Sequence, residues 1–254
     1  MERDEYDRMY RLEDFHWWYT GMRQITLALL SACGISAASS PLRVLDAGCG
    51  TGGMLPYLRR FGDVWGVDLS PFALPYARRR AEGDAALHLA RASVTALPFA
   101  DRVFDLVTSF DVIYHLDVAD DVAALREFYR VLRPGGVLFV RVPAYDRLRG
   151  AHDRAVHTRH RYTRGELGRK LECAGFVVER LSYANMLLLP IAAAKRFFEG
   201  VAGTRARSDV QPAHPVINRL LHVPLRIEAQ LLRWGDLPAG LSVIAVARRP
   251  SQKP

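Results

Sequence analysis

Short apolar runs, each closed by a polar or glycine-rich turn, alternate with amphipathic segments over the first 145 residues. The apolar runs predict strands at 43–46, 64–67, 88–92, 104–110 and 137–142. Between them, residues 71–81 and 118–132 show the spacing and start signals of helices. This alternation predicts an α/β fold with an open, doubly wound, mostly parallel sheet and helices on both faces.

The pattern changes at both ends of this region and divides the chain into three parts. Residues 1–40 read as helices that form an N-terminal lid, and residues 185–238 as a long helical insertion. Strands predicted at 176–183 and 241–247 flank the insertion, so we expect a core made of residues 41–184 and 239–250.

Composition narrows the function only modestly. The 254 residues carry a net charge of +8, most of it from arginine, which favours anionic partners without choosing among them. Three dispersed cysteines indicate neither a disulfide framework nor a zinc ribbon, and the N-terminus is too charged for a signal peptide. The longest apolar stretch, 186–194, is short of a bilayer span, so we expect a cytoplasmic protein.

The turn after the first strand, GCGTGG at 48–53, fits two nucleotide-binding templates. Gly48, Gly50 and Gly53 satisfy GxGxxG, with Asp68 at the spacing of a dinucleotide fold. The same turn, counted from Asp46, also reads as DxGxGxG. The glycines let the backbone approach a cofactor closely in both cases.

Electrostatics separates the two templates. A dinucleotide would bring a pyrophosphate against this turn, where the Asp46 carboxylate would repel it. S-adenosylmethionine instead carries a sulfonium and an ammonium, which a carboxylate attracts. The alternative for Asp46 is a purely structural cap of the turn or of the next helix. A nicotinamide-dependent oxidoreductase is disfavoured on this ground.

The stretch VLDAGCGTG at 44–52 resembles the first motif of the class I S-adenosylmethionine-dependent methyltransferases, and GVDLS, ALPFADRVFDLV and VLRPGGVLFV support the resemblance over residues 40–145. The opening EDFHWWYTGMR is similar to a bacterial branch that acts on small molecules and glycoconjugates. The resemblance implies a Rossmann-like, seven-stranded sheet with an antiparallel last strand. It also implies S-adenosyl-L-methionine as cofactor and S-adenosyl-L-homocysteine as product.

Cofactor-binding residues follow from the positions that match the family's motifs. Ser93 stands where the family often has an acid for the adenine amino group, so this anchor is weaker. Tyr19 and Arg23 could meet the methionine carboxylate from the lid; alternatively, the HWWY segment only packs beneath the sheet. The predicted cofactor residues are Tyr19, Arg23, Asp46, Gly48, Gly50, Gly52, Asp68, Leu69, Ser93, Val94 and Phe110.

Methyl transfer needs an aligned nucleophile and, for a hydroxyl acceptor, a general base. His115 follows the fourth strand, where ligands of open sheets bind, and is the predicted catalytic base; a packing role is the alternative. Tyr114 and the basic loop residues Arg159, His160, Arg161 and Tyr162 are predicted to bind an acceptor, unless that loop is merely solvated. The histidines of 152–160 fit no metal motif, and five nearby arginines would repel a cation, so no metal is expected.

The predicted function is methyl transfer to a small-molecule acceptor, such as a hydroxyl of a natural product, sugar or glycoconjugate. The acceptor could be anionic, sugar-like or lipid-linked. Two alternatives stay open: a non-methylating enzyme on this fold, and a nucleic-acid methyltransferase, although neither an RNA-binding module nor a basic tail is evident. The apolar, arginine-studded insertion could build an acceptor pocket, which we expect, or a homodimer face or a peripheral membrane contact.

Overall fold

The computed structural model describes residues 3–37, 40–150, 153, 156–194 and 214–251. Seven strands form a single mixed sheet in the order β3-β2-β1-β4-β5-β7-β6. The strands are β1 (Leu42–Ala47), β2 (Gly62–Asp68), β3 (Leu87–Arg91), β4 (Phe104–Phe110), β5 (Leu132–Pro143), β6 (Val177–Ala184) and β7 (Ser242–Arg248). The first five pair in parallel, whereas β7 runs antiparallel to both β5 and β6, so the predicted fold class is confirmed.

Helices cover the sheet, and further helices lie near both ends of the chain. The α-helices are α1 (Arg3–Leu12), α2 (Trp17–Ala32), α3 (Leu55–Leu58), α4 (Leu74–Ala81), α5 (Asp121–Val131), α6 (Arg164–Cys173) and α7 (Pro215–Leu231). Short 3₁₀ turns lie at Arg59–Phe61 and Asp146–Leu148, and residues 189–194 are helical. No helix among the described residues is long and apolar enough to cross a membrane.

The central strands are apolar on both faces because helices cover both, as parallel sheets require. Val44, Leu45, Leu106 and Val107 are fully buried at the centre of the core. The strand order reverses between β1 and β4, which are neighbours in the sheet. At such a reversal, the connections leave on opposite faces and open a crevice at the carboxyl ends of the strands.

Two helices begin later than the sequence predicted, each after a turn that contains a side-chain-to-backbone hydrogen bond; only in α5 does that bond cap the helix. The Ser70 hydroxyl accepts the Phe72 N–H at 3.2 Å, and α4 starts only at Leu74. Asp120 accepts the Ala123 N–H at 3.0 Å, which fixes the start of α5. The predicted strand 104–110 coincides with β4.

The N-terminal helix pair is joined to the C-terminal helix α7. α2 and α7 approach so closely at Gly21 that a Cβ there would overlap the Leu225 side chain. Asn218 accepts the Trp17 N–H and donates to the Phe15 carbonyl, both at 2.8 Å. Of the predicted insertion, residues 195–213 lie outside the described residues.

Candidate active site

A cavity of about 760 Å³ occupies the crevice between β1 and β4, within the roughly 300–1,000 Å³ range typical of ligand sites. Its floor consists of the carboxyl ends of β1, β2 and β4, and its roof of α1 and α2. Ile191, from the helical segment 189–194, and Leu221, from α7, line one side. Thus both ends of the chain and the centre of the sheet contribute to one site.

The glycine turn is held in a backbone conformation that only glycine adopts easily. Gly48 has φ +86°, and a Cβ there would overlap the Val112 side chain, so only glycine fits. The N–H groups of Gly48 and Cys49 donate to the Val67 carbonyl at 2.8 and 2.9 Å, which ties the turn to β2. Gly48 and Gly50 line the cavity, whereas Gly52 packs against Ala77, outside the cavity lining.

Asp46 lies at the end of β1, only 1% exposed, with its carboxylate in the cavity wall. The Thr108 hydroxyl donates to its Oδ1 at 2.8 Å from the neighbouring strand. Burial raises the pKa of Asp46 to about 7, even though the Thr108 bond and Arg141 favour the charged form. A cation in the cavity would hold this carboxylate in its charged form, as the sequence argument requires.

Asp68 fixes the glycine turn and faces the cavity at the same time. Its Oδ2 accepts the Gly50 N–H and its Oδ1 the Ser70 N–H, both at 2.8 Å. Burial raises the pKa of Asp68, while these two hydrogen bonds counteract the effect. Each carboxylate oxygen keeps acceptor capacity, so the pair of ribose hydroxyls of a nucleoside fits this position.

The remaining predicted cofactor residues of the core also line the cavity. Val94 is buried in the turn after β3. Leu69 directly follows β2, and Phe110 is the last residue of β4. Ser93 shares a 2.8 Å hydrogen bond with Thr95 and accepts the Thr95 N–H. Because the Ser93 hydroxyl is engaged within its own turn, it offers a purine only a shared hydrogen bond.

The roof brings a buried charged cluster onto the glycine turn. Glu13, 5% exposed, accepts the Thr51 hydroxyl at 2.7 Å and pairs with Arg80 at 2.9 Å. Burial raises the pKa of Glu13 despite these partners. Arg23 donates to the backbone carbonyls of Glu13 and Gly53 and lies over the Tyr57 ring. Nothing in the sequence motifs had pointed to Glu13 individually.

Tyr19 and Arg23, the two residues predicted to reach the cofactor from the N-terminal segment, both line the cavity. Burial raises the pKa of the Tyr19 hydroxyl, so it stays protonated and can act as a hydrogen-bond donor. Arg23 is directed chiefly to backbone carbonyls, while its buried Nε has no hydrogen-bond partner among the described residues. The guanidinium nevertheless brings positive charge to the cavity lining, which favours an anionic group there.

At the far end of the cavity, His115 stacks on Tyr114 with ring centroids 4.6 Å apart. Burial lowers the pKa of His115 to about 4, which keeps the imidazole neutral at physiological pH. The Leu116 N–H donates to His157 and the Arg159 N–H to Tyr114, so the loop after β4 is held by backbone bonds on both sides of His115.

The cavity lining also contains an ion pair that the sequence analysis did not predict. Arg141 of β5 binds Asp111 through its Nε at 2.8 Å, and both side chains line the cavity. Asp111 itself has φ +56°, a left-handed conformation held by this site. The signal was visible in VLFVRV at 137–142: a single arginine in an otherwise apolar strand needs a partner.

The basic loop contributes one of its four predicted residues to the cavity lining. Arg161 lines the cavity and is paired with Asp153 at 2.8 Å. Arg159, His160 and Tyr162 do not line it: Arg159 and Tyr162 bind Asp121, and His160 binds Glu166 at 3.0 Å. Among the described residues, His, Cys, Asp and Glu side chains form no cluster of three or more that could hold a metal.

The chain is similar to known methyltransferases in sequence and in fold. Residues 45–140 match a family model described as a methyltransferase domain. A malonyl-[acyl-carrier protein] O-methyltransferase of Enterobacter lignolyticus is 45% identical over 107 residues, which are 42% of this chain and 41% of that protein. A demethylmenaquinone methyltransferase of Thermus thermophilus is 38% identical over 113 residues, 43% of this chain and 50% of that protein. The chain therefore spans half or less of either curated relative.

Solved structures extend the likeness of fold over nearly the whole chain. A chain from the complex between the Haloferax volcanii Trm112 methyltransferase activator and a putative methyltransferase superposes with TM-score 0.62, at 22% identity, covering 97% of this chain and 94% of that one. A Haemonchus contortus phosphoethanolamine N-methyltransferase 2, solved with S-adenosyl-L-methionine, gives TM-score 0.59 at 22% identity, covering 89% and 52%.

The sequence match and the fold agree on one class. Residues 45–140 match the methyltransferase-domain family, and the seven-stranded sheet has the fold of the solved methyltransferase structures. This matching segment contains Asp46, the glycine turn and Asp68.

Proposed function

We propose that this protein transfers the methyl group of S-adenosyl-L-methionine to a nucleophile of a small-molecule acceptor. The observation that carries the proposal is one continuous cavity that joins Asp46, Asp68 and the glycine turn to His115. A cofactor and an acceptor therefore share one enclosed space, as an in-line displacement requires. When bound, the cofactor supplies a methyl group activated by its sulfonium.

The residues at the cofactor end bind and orient. Asp46 offers negative charge to the cationic methionine part, Asp68 accepts from the ribose, and the turn around Val94 holds the adenine. Tyr19 and Arg23 cover the methionine part from the roof, which makes residues 1–40 the proposed lid. The roof also keeps bulk water away from the charged groups, so their interactions strengthen.

The residues at the other end handle the acceptor. His115 is neutral at physiological pH and can accept the proton of an acceptor hydroxyl as the new bond to carbon forms. The electron pair of the broken carbon–sulfur bond stays on sulfur, giving S-adenosyl-L-homocysteine. Tyr114 and Arg161 line the proposed acceptor space, and Leu188 and Leu221 form an apolar wall on one side of it.

A natural-product, sugar-like or lipid-linked acceptor is consistent with this mixed lining. The O-methyltransferases among the relatives support oxygen as the methylated atom. We place the acceptor-selecting residues in 185–238, beside the core of 41–184 and 239–250, and the protein in the cytoplasm, in keeping with its dispersed cysteines.

The proposal is tested by ligand binding followed by methyl transfer. S-adenosyl-L-homocysteine should raise the melting temperature of the wild-type protein, and Asp68→Ala should abolish the shift. Asp63→Ala, on the exposed part of the same strand, is the matched control and should keep it. Methyl-labelled S-adenosyl-L-methionine should then label a product in an extract of small molecules.

Two results would count against this function. Absence of stabilisation at millimolar S-adenosyl-L-homocysteine would remove the cofactor assignment. If S-adenosyl-L-homocysteine stabilises the protein, but a substrate is rearranged without consumption of S-adenosyl-L-methionine, the protein is a non-methylating enzyme. The fold allows this outcome, since the [4+2]-cyclase SpnF superposes with TM-score 0.58 at 20% identity, covering 89% of this chain and 81% of that one.

A further inference from the structure

Helix α7 presents an apolar stripe to solvent. Its members recur every three or four residues, which places them on one face of the helix and its C-terminal extension. The stripe consists of Val216, Leu220, Val223, Ile227, Leu231 and Trp234. Leu220 is 71% exposed and Trp234 is 91% exposed, so the described residues leave this face uncovered. A continuous exposed apolar surface of this kind marks an interaction site.

A row of arginines runs beside the stripe. Arg219, Arg226 and Arg233 are exposed and recur every seven residues, so they follow the same side of the helix. Among the described residues, Arg219 and Arg226 have no carboxylate partner, and Arg233 contacts only Gln230.

The acidic groups nearby are directed elsewhere. Glu228, the one acidic residue of α7, is fully buried and accepts the Asn185 and Leu187 N–H groups at 2.6 and 2.9 Å. Asp236, just beyond the helix, pairs with Arg180 at 2.8 Å. The outward face of α7 is therefore apolar and positively charged.

This face adjoins the cavity. Leu221 of α7 lines the cavity one residue after the exposed Leu220. Ile191 lines it too and is 62% exposed, so it belongs to both the cavity wall and the outer surface. Helix α7 and the helical segment 189–194 therefore each contribute an apolar side chain to the cavity lining and another, or the same one, to the outer surface.

We propose that this face of α7 docks on an anionic lipid surface, so that the cavity receives an acceptor held in that surface. The acceptor class rests on the proposed methyltransferase function; the docking does not. Basic amphipathic helices with an exposed tryptophan lie in the headgroup region, where arginines meet lipid phosphates and the apolar side chains enter the acyl boundary.

Charge favours lipid over a second copy of the chain. Two α7 faces brought together would oppose arginine row to arginine row, with no exposed carboxylate on either helix to pair with them. The net charge of +8 adds to that repulsion. An anionic membrane supplies the missing negative charge and an apolar layer at once.

The test is co-flotation of the full-length protein with vesicles of phosphatidylcholine alone or with phosphatidylglycerol. Binding should require phosphatidylglycerol and weaken as salt rises. Arg219→Gln/Arg226→Gln/Arg233→Gln should lower the partition coefficient about 100-fold, since each basic residue contributes about a factor of five. Leu220→Ser/Ile227→Ser/Trp234→Ser should lower it at least about tenfold.

Two controls separate docking from folding and from catalysis. Arg60→Gln/Arg78→Gln/Arg126→Gln removes the same charge from exposed positions elsewhere and should keep vesicle binding. Stabilisation by S-adenosyl-L-homocysteine, measured without vesicles, should be unchanged in every variant. Failure of this ligand to bind the wild type would remove the methyltransferase function while leaving the docking result standing.

Three outcomes would overturn the proposal. The first is equal flotation with both kinds of vesicle, or equal loss in the control variant. The second is absence of flotation together with a dimer in sedimentation analysis that the serine variant dissociates. The third is absence of flotation together with saturable binding of the α7 face to an acidic protein.

Discussion

The Asp46 carboxylate attracts a cation bound in the cavity, but without a bound cation its own negative charge is unfavourable because it is buried. The carboxylate is almost fully buried beside the cavity, and burial raises its pKa to about 7. Above that pH, the unliganded protein carries a desolvated negative charge; a bound cation compensates it. Cofactor affinity and the stability of the unliganded protein should therefore respond to pH in opposite ways.

The stability arm of this prediction follows from proton linkage. The unfolded carboxyl has a pKa of about 4, so between about pH 4 and 7 the folded chain binds more protons than the unfolded chain. The contribution of Asp46 to the free energy of unfolding therefore falls as pH rises through this window. Asp46→Asn should raise the unliganded protein's stability at pH 8 by about 2 kcal/mol, measured by urea unfolding.

The binding arm uses the same variant. S-adenosyl-L-methionine should bind the wild type more weakly below pH 7, as Asp46 becomes protonated, and calorimetry should detect proton release on binding. Asp46→Asn should bind weakly at every pH, with the pH dependence removed. An affinity that is independent of pH in the wild type would contradict the electrostatic role of Asp46.

His115 provides a second prediction at the scale of one residue. Its pKa of about 4 keeps it neutral, so the methylation rate for a hydroxyl acceptor should fall only as the pH drops toward 4. His115→Gln should lower kcat about 100-fold or more while the KM for the cofactor stays constant. His88→Gln, on edge strand β3 away from the cavity, is the control. Wild-type kcat in His115→Gln would leave the residue a packing role.

At the scale of elements, Glu13 joins the roof to the sheet. It follows α1 and binds Thr51 of the glycine turn and Arg80 of α4. Glu13→Ala should leave the buried Thr51 hydroxyl without its acceptor and remove one of the two carboxylate partners of Arg80, destabilise the protein by about 1–3 kcal/mol and weaken cofactor binding through faster dissociation. Chemical denaturation and stopped-flow displacement of a fluorescent analogue measure the two effects.

Asp14 provides the matched control for this contact. It pairs with the same Arg80 at 2.9 Å, but its side chain is 55% exposed, so solvent screens the pair. Asp14→Asn should therefore change stability by less than about 0.5 kcal/mol and leave dissociation unchanged. Equal effects of the two substitutions would show that burial of Glu13 on the glycine turn is irrelevant to the roof.

At the scale of the whole molecule, Asp121 connects three separate parts of the chain. It starts α5 and binds Arg159 and Tyr162 of the basic loop and Lys170 of α6. Burial alone would raise the pKa of Asp121, but these partners hold it below its usual range. Since the same loop meets the His115 segment through backbone bonds, this network also positions the proposed acceptor end of the cavity.

Removal of one hydrogen bond tests this network. The buried Tyr162 hydroxyl donates to Asp121 at 2.6 Å, so Tyr162→Phe should destabilise the protein by about 1.5–3 kcal/mol. Tyr76→Phe, which removes a longer contact to Asp7 near the surface, should cost less than about 1 kcal/mol. Urea unfolding compares them, and equal costs would argue against a central role for Asp121.

Local signals in the sequence were sufficient for the sheet, and they brought together the residues proposed to bind the cofactor. Strands ending in Asp46 and Asp68 with glycines between them are features of neighbouring residues, and they reappear at one edge of the sheet. The antiparallel placement of β7 came from the family resemblance. The start of α5 depended on the Asp120 cap, and α4 starts at Leu74 after a separate turn at Ser70; the pattern of apolar positions registers neither.

The acceptor half depends on partners that are distant in sequence. Arg159 and Arg161 are equivalent in composition, yet one binds Asp121 and the other lines the cavity beside Asp153. Only the folding of the loop against α5 decides between them. Glu13 likewise gains its role from Thr51, 38 residues away, and Arg141 from Asp111, 30 residues away.

The close packing of α2 on α7 has a consequence for the order in which the protein is completed. Trp17, at the start of the roof, is held by Asn218, a residue 201 positions later. During synthesis the strands from β1 to β5 emerge long before Asn218 does. A nascent chain can thus complete the five parallel strands while the roof above the crevice still lacks its hydrogen bond to α7.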